Sequence, residues 1–182
     1  KVDCSVCHAE VVTTYKASVH GKLAAQESPD APVCADCHGT HGVQGKFQTE
    51  SPIYSQNIPK LCGSCHRVGE KAAVRYQGTQ HGIVESYIES IHGKGLLESG
   101  LTVTATCVSC HNAHQILPHT DPRSSIARKN VVQVCLKCHS GYAAGAAADL
   151  AAQFSPLGAS YHPVLAPGAS ATMPASLLAP WS

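Results

Sequence analysis

Apolar positions recur along this 182-residue chain in short runs. Glycine, proline or a polar turn cuts each run off early. Residues 10–19 (EVVTTYKASV) can form a helix. Residues 60–77 and 83–91 read as helical, with Gly78 and Gly82 breaking the chain between them. A short helix is predicted over 131–139, and the Ala-rich stretch 143–154 favours a helix by propensity. Stretches 28–32, 42–59 and 118–125 are loops. From Ser155 onward the chain is Pro, Ala, Ser and Gly with few charges, which predicts an extended tail rather than a domain. No run approaches 18 consecutive apolar residues, so no transmembrane helix is expected. The predicted fold class is mostly irregular, with short α-helices.

The pattern repeats at a period near 73 residues. YKASVHGK at 15–22 matches YIESIHGK at 87–94, an offset of 72. CADCHGTHGV at 34–43 matches CVSCHNAHQI at 107–116, and NIPKLCGSCH at 57–66 matches NVVQVCLKCH at 130–139, both offset by 73. One inserted residue accounts for the change of offset. The unit is CxxCH, then Tyr-x-x-Ser-x-His-Gly, then CxxCHxxH. It predicts one domain over 1–155, made of modules 1–56 and 57–129 and a half module 130–155. The tail 156–182 follows and carries His162.

The motif inside the unit carries the chemistry. All ten cysteines fall in five Cys-x-x-Cys-His pentapeptides: Cys4, Cys7 and His8; Cys34, Cys37 and His38; Cys62, Cys65 and His66; Cys107, Cys110 and His111; Cys135, Cys138 and His139. This is the attachment signal for c-type haem: two thioethers to the vinyl groups and a histidine that can reach the iron. One copy could be a redox dithiol or half of a zinc site. Five copies, each with its histidine and no cysteine left over, point to five covalent haem c groups. A disulfide scaffold has no use for the histidines, and a zinc protein has no use for an odd number of CxxC pairs.

Composition agrees. The chain is 43% hydrophobic, but it holds only two Phe, one Trp, one Met and six Tyr. Large side chains normally dominate burial, so stacked haems are expected to supply the missing core. The formal charge of +1 becomes roughly −4 with five ferric haems and roughly −9 when they are reduced, once the propionates are counted. That balance, without any Lys/Arg cluster, argues against nucleic-acid binding.

The motif histidines His8, His38, His66, His111 and His139 are the expected proximal ligands. Met173 is the single methionine and could serve one iron at most, so bis-histidine ligation is expected. The distal candidates are His20, His41, His92, His114, His162 and His81. His20 and His92 are repeat-equivalent, and each precedes a glycine that would let a haem edge come close. His41 and His114 lie three residues after a motif histidine and are expected to reach a neighbouring haem. His162 is the expected partner for the half module, and His81 is surplus or a ligand. His119, before a Thr-Asp-Pro turn, is expected in solvent. Six candidates for five irons suggest that one histidine, His162 or His81, reaches a haem of another molecule.

The segments SVHGK…CADCHGTHG and SIHGK…CVSCHNAH resemble the doubled-CxxCH multihaem cytochromes c of anaerobic, often metal-respiring bacteria and archaea, over residues 1–140. The resemblance implies low-potential haems in alternating parallel and T-shaped stacks. It implies a periplasmic or extracellular electron conduit, from which a secretory signal has been removed. Some such cytochromes polymerise, one subunit's histidine ligating the next subunit's haem. The odd haem number and the unmatched tail depart from the pattern; both fit a subunit completed by a neighbour and both fit a fragment.

The expected function is electron transfer through closely spaced haems rather than enzymatic catalysis. The subunit of an extracellular or cell-surface conductive filament is the leading form, with other redox proteins or copies of itself as partners. A periplasmic shuttle and a haem subunit of a respiratory complex are the alternatives. A multihaem reductase would need one open haem.

Overall fold

The computed structural model describes residues 3–76, 78 and 81–139. The expected helix at 143–154, the tail, His162 and Met173 lie outside the described residues. Among the described residues there are short α-helices and no strands: α1 (Ser5–Ala17), α2 (Val19–Ala25), α3 (Cys34–His38), α4 (Ile58–His66), α5 (Lys71–Arg75), α6 (Ile83–Glu89), α7 (Ile91–Leu97), α8 (Cys107–His111) and α9 (Val131–Leu136). A single 3-10 turn, Ser55–Asn57, leads into α4.

Three expectations about helices change. The first helix starts earlier than residue 10 and takes in the first motif, with a kink at His8 (φ −119°, ψ 42°). The helix expected over 60–77 is two helices, because the chain turns between them and Gly69 sits at φ 87°. The helices α2 and α7 were not anticipated. Each follows a serine in extended conformation (Ser18 and Ser90), and the serine side chain accepts a hydrogen bond from the third residue of the helix. Both helices therefore start at a cap rather than from propensity.

The repeat is structural as well as sequential. α1 packs on α2 as α6 packs on α7. Before α4, the Asn57 side chain donates to the carbonyls of Thr49 (2.9 Å) and Ser51 (2.8 Å); before α9, Asn130 donates to Pro122 (3.0 Å) and Ser124 (2.8 Å). Ser51 and Ser124, both buried, donate back to Gln44 and Leu117. These loops, though irregular, are held at the same points by the same bonds.

The apolar core is thin. Among the described residues the buried apolar side chains are Ile58, Val84, Leu96, Leu117 and Ala127, while Val6, Phe47, Ile91 and Val103 are exposed. α4 lies against α5, α6 and α8, and α8 lies against α9. Gly63 gives α4 its close approach to Val84 on α6, where a Cβ would stand 3.5 Å from Val84 Cγ1. So few buried side chains contribute too little to offset the entropy of ordering the chain.

Candidate haem-binding sites

Each motif closes one helical turn. In α3 and α8 the five motif residues are the whole helix. In the first and last motifs the histidine amide donates to the first cysteine's carbonyl, at 2.9 Å in both. Helical spacing puts the two cysteines (i, i+3) and the histidine (i+4) on one face, which presents two sulfurs and an imidazole together. Lead-in bonds pin the short helices: Asp36 Oδ2 accepts from the Val33 amide (2.6 Å), and Ser109 Oγ accepts from the Thr106 amide (3.0 Å). After the turn, Gly39 (φ 76°, ψ 176°) and Asn112 (φ 63°, ψ 170°) reverse the chain towards His41 and His114.

Among the described residues, six histidine rings stand in three pairs. His20 faces His66 with centroids 6.1 Å apart and planes tilted by 44°. His92 faces His139 at 6.1 Å and 42°. His38 faces His114 at 6.0 Å and 12°. Every pair joins a motif histidine to one from between the motifs. The first two pairs are repeat-equivalent and share their tilt. A bare ring contact also falls in this range of distance. Two imidazoles bound to one metal at about 2 Å each would likewise have centroids roughly 6 Å apart. The uniform spacing and the pairing by type fit a metal between the rings.

The electrostatics favour the ligating form. Burial, and then the partner ring, pushes the basicity of His20, His38 and His92 down; burial does the same to His66. Neutral imidazole, the form with a lone pair for a metal, is thereby favoured. Among the described residues no three of His, Cys, Asp and Glu converge as a metal-ion cluster.

The cysteines give the order of the sites. Burial and then Cys4 raise the Cys34 thiol. Burial, Asp36 and then Cys65 raise Cys37. A hydrogen bond with Cys107, followed by burial, raises Cys62. Burial, then Cys135, raises Cys110. Each motif thus adjoins the next along the chain.

The other histidines are placed differently. His41 is exposed, with Thr40 Oγ1 3.2 Å from its Nδ1. His81 is exposed and meets Tyr76 edge-on at 6.2 Å. His8 is exposed, near enough to His38 to lower its basicity. His111 is half-buried on α8, and His119 is exposed.

The glycines after His20 and His92 have a structural reason of their own. A Cβ on Gly21 would stand 2.1 Å from the Tyr15 carbonyl oxygen, and one on Gly93 would stand 2.1 Å from that of Tyr87. The close neighbour in each case is the carbonyl of the preceding helix. Sequence reading also missed the residues that hold the histidine-bearing helices. Their only signal was identity at the repeat offset: Tyr15 with Tyr87, Ser18 with Ser90, Ser51 with Ser124, Asn57 with Asn130.

Comparison with known proteins agrees with this chemistry. A family model described as the doubled CXXCH motif matches residues 20–71. The cytochrome c-type protein NrfB of Escherichia coli O6:H1 is 31% identical over 130 residues, covering 63% of this chain and 68% of that protein. No solved structure gives a significant match. With paired motifs, paired histidines and a relative aligned over two thirds of its length, the chain belongs to the multihaem c-type cytochromes with doubled CxxCH motifs.

Proposed function

We propose that this protein transfers electrons along five covalently bound haem c groups with bis-histidine ligation. The three histidine pairs at 6.0–6.1 Å carry the reading. Cys4 and Cys7, Cys34 and Cys37, Cys62 and Cys65, Cys107 and Cys110, and Cys135 and Cys138 hold the haems as thioethers. His8, His38, His66, His111 and His139 are the proximal ligands. His66 is completed by His20, His38 by His114 and His139 by His92. His41, His81 and His162 are the distal candidates for the haems at His8 and His111.

With a histidine ring on each side, a bound haem would offer no position for a substrate and would supply a one-electron couple. The chain's own part is to hold neighbouring sites together. The Cys4–Cys34, Cys37–Cys65, Cys62–Cys107 and Cys110–Cys135 neighbourhoods support haems that follow one another in sequence order. The stacked array would take the place of the missing core. Partners are redox proteins that meet the ends of the array, in the periplasm or at the cell surface, outside the membrane where haem is attached. Among the described residues no helix is long and apolar enough to cross a membrane.

A filament or a haem-to-haem complex is a second reading, favoured by His41. Its repeat-equivalent His114 faces a motif histidine in the preceding module, while His41 itself is exposed. His41 would then meet a haem on another molecule. Mass photometry of the purified holoprotein separates the readings: long assemblies support the filament, whereas a single mass of one chain removes it.

Intact mass and ferric EPR test the first reading. Five haems per chain, all low-spin, are expected. Fewer haems, or a resting high-spin signal of a full equivalent, would count against it.

A further inference from the structure

We propose that Tyr15, Ser18 and Gly21, and their counterparts Tyr87, Ser90 and Gly93, are positioning residues that fix the ring plane of one axial histidine and tether it to the lead-in of a different haem motif. The inference rests on the reading of His20–His66 and His92–His139 as axial pairs.

The two corners are built alike. Ser18 (φ −74°, ψ 168°) and Ser90 (φ −72°, ψ 163°) break a helix and start the next. Their amides donate to Tyr15 O (2.9 Å) and Tyr87 O (3.0 Å). Their hydroxyls accept from the Gly21 amide (3.0 Å) and the Gly93 amide (3.1 Å). The Ser90 hydroxyl donates in turn to Tyr87 O at 2.6 Å. Ser18 is fully buried. The ligand histidine stands between serine and glycine, as the second residue of its helix. Neither side of it can move without breaking the cap or driving the glycine backbone into the tyrosine carbonyl.

The tether is the tyrosine. Tyr15 OH donates to Pro32 O (2.6 Å) and Tyr87 OH to Ala105 O (3.0 Å). Pro32 and Ala105 each lie two residues before a motif, at Cys34 and Cys107. The corner that aims His20 at the third motif's histidine is therefore pinned to the second motif, and the corner that aims His92 at the fifth is pinned to the fourth. This arrangement accounts for the shared tilt of the two pairs, 44° and 42°, against 12° for His38–His114, whose distal ring lies on no such corner.

The corners differ in two respects, the first being the Ser90 hydroxyl bond to Tyr87 O. The Val19 amide donates to Ile116 O (2.9 Å), two residues past His114, while Ile91, its counterpart, is 80% exposed and has no such bond among the described residues. The Ser90 hydroxyl makes two bonds where the Ser18 hydroxyl makes one, so the second corner should respond more strongly to loss of its serine.

The test uses holoprotein and ferric EPR, since the g-values of a bis-histidine haem report the angle between its ligand planes. His20→Ala comes first. It should turn a single haem high-spin; if all five stay low-spin, the axial reading fails and takes this inference with it. With the axial reading intact, Ser18→Ala and Ser90→Ala should each shift the low-spin signal of one haem at full haem content, Ser90→Ala by more. Ser18→Thr, which keeps the cap, should restore the native signal. Should Ser18→Ala fail to assemble, Tyr15→Phe is the substitute, and it too should shift one haem. Unchanged g-values in the serine variants or in Tyr15→Phe, or failure of Thr to restore them, would overturn the proposal.

Discussion

At the scale of the residue, one position carries a visible cost. Asn112 holds φ 63° and ψ 170°, a conformation nearly reserved for glycine, and its repeat counterpart is Gly39 at φ 76° and ψ 176°. The turn leads to His114, which faces His38, so under the proposed ligation the strain would sit where a ligand is delivered. Asn112→Gly should raise holoprotein stability by about 1 kcal/mol, the relief of strain exceeding the added chain entropy. Denaturant unfolding at constant haem content measures this. A loss of stability would mean that the asparagine side chain contributes more than its backbone costs.

At the scale of the element, the lead-in loops are the parts that look least ordered in the sequence and are tied most firmly. Asn57 makes two side-chain bonds across the loop before α4, and Asn130 makes the same pair before α9. Asn57→Ala should cost about 1–3 kcal/mol, because it strips partners from two carbonyls, one of them on buried Ser51. Asn57→Asp should recover little, since a carboxylate cannot donate. A change below about 0.5 kcal/mol in chemical denaturation would show that water replaces the amide.

How much of these elements was legible depends on what starts them. The short-helix class and the positions of α6 and α9 followed from apolar spacing and from glycine breaks. α2 and α7 did not, because VHGKLAA and IHGKGLL carry glycine in their first turn and begin at a serine cap that propensity ignores. The break at 67–70 was hidden because Gly69 sits in an otherwise helical run. The motif residues could be read directly. The pairing of His20 with the third motif and His114 with the second could not, since it depends on how successive modules pack. Identical spacing at the repeat marked which histidines were equivalent, but not which way each would face.

At the scale of the whole molecule, the helices among the described residues are 5–13 residues long and the buried apolar side chains there are few. Helices this short do not persist alone in water, so under the proposed reading covalent haem would be the component around which they pack. A chain with all ten cysteines replaced by alanine should lose most of its far-UV helical signal and bind a dye for exposed apolar surface or remain unfolded. Native-like helix content in that variant would contradict the role given to the haems. Under the proposed reading the haems would follow one another in sequence order, and electrons would enter and leave at the first and fifth motifs.

The most direct test of bis-histidine ligation by residues from different modules is an experimental structure of the holoprotein, by crystallography or cryo-electron microscopy. The prediction is one iron between His20 and His66, one between His38 and His114 and one between His92 and His139, with the tilts of the first and last pairs alike. An iron at the second, third or fifth motif with a different distal ligand, or with an open sixth position, would contradict it.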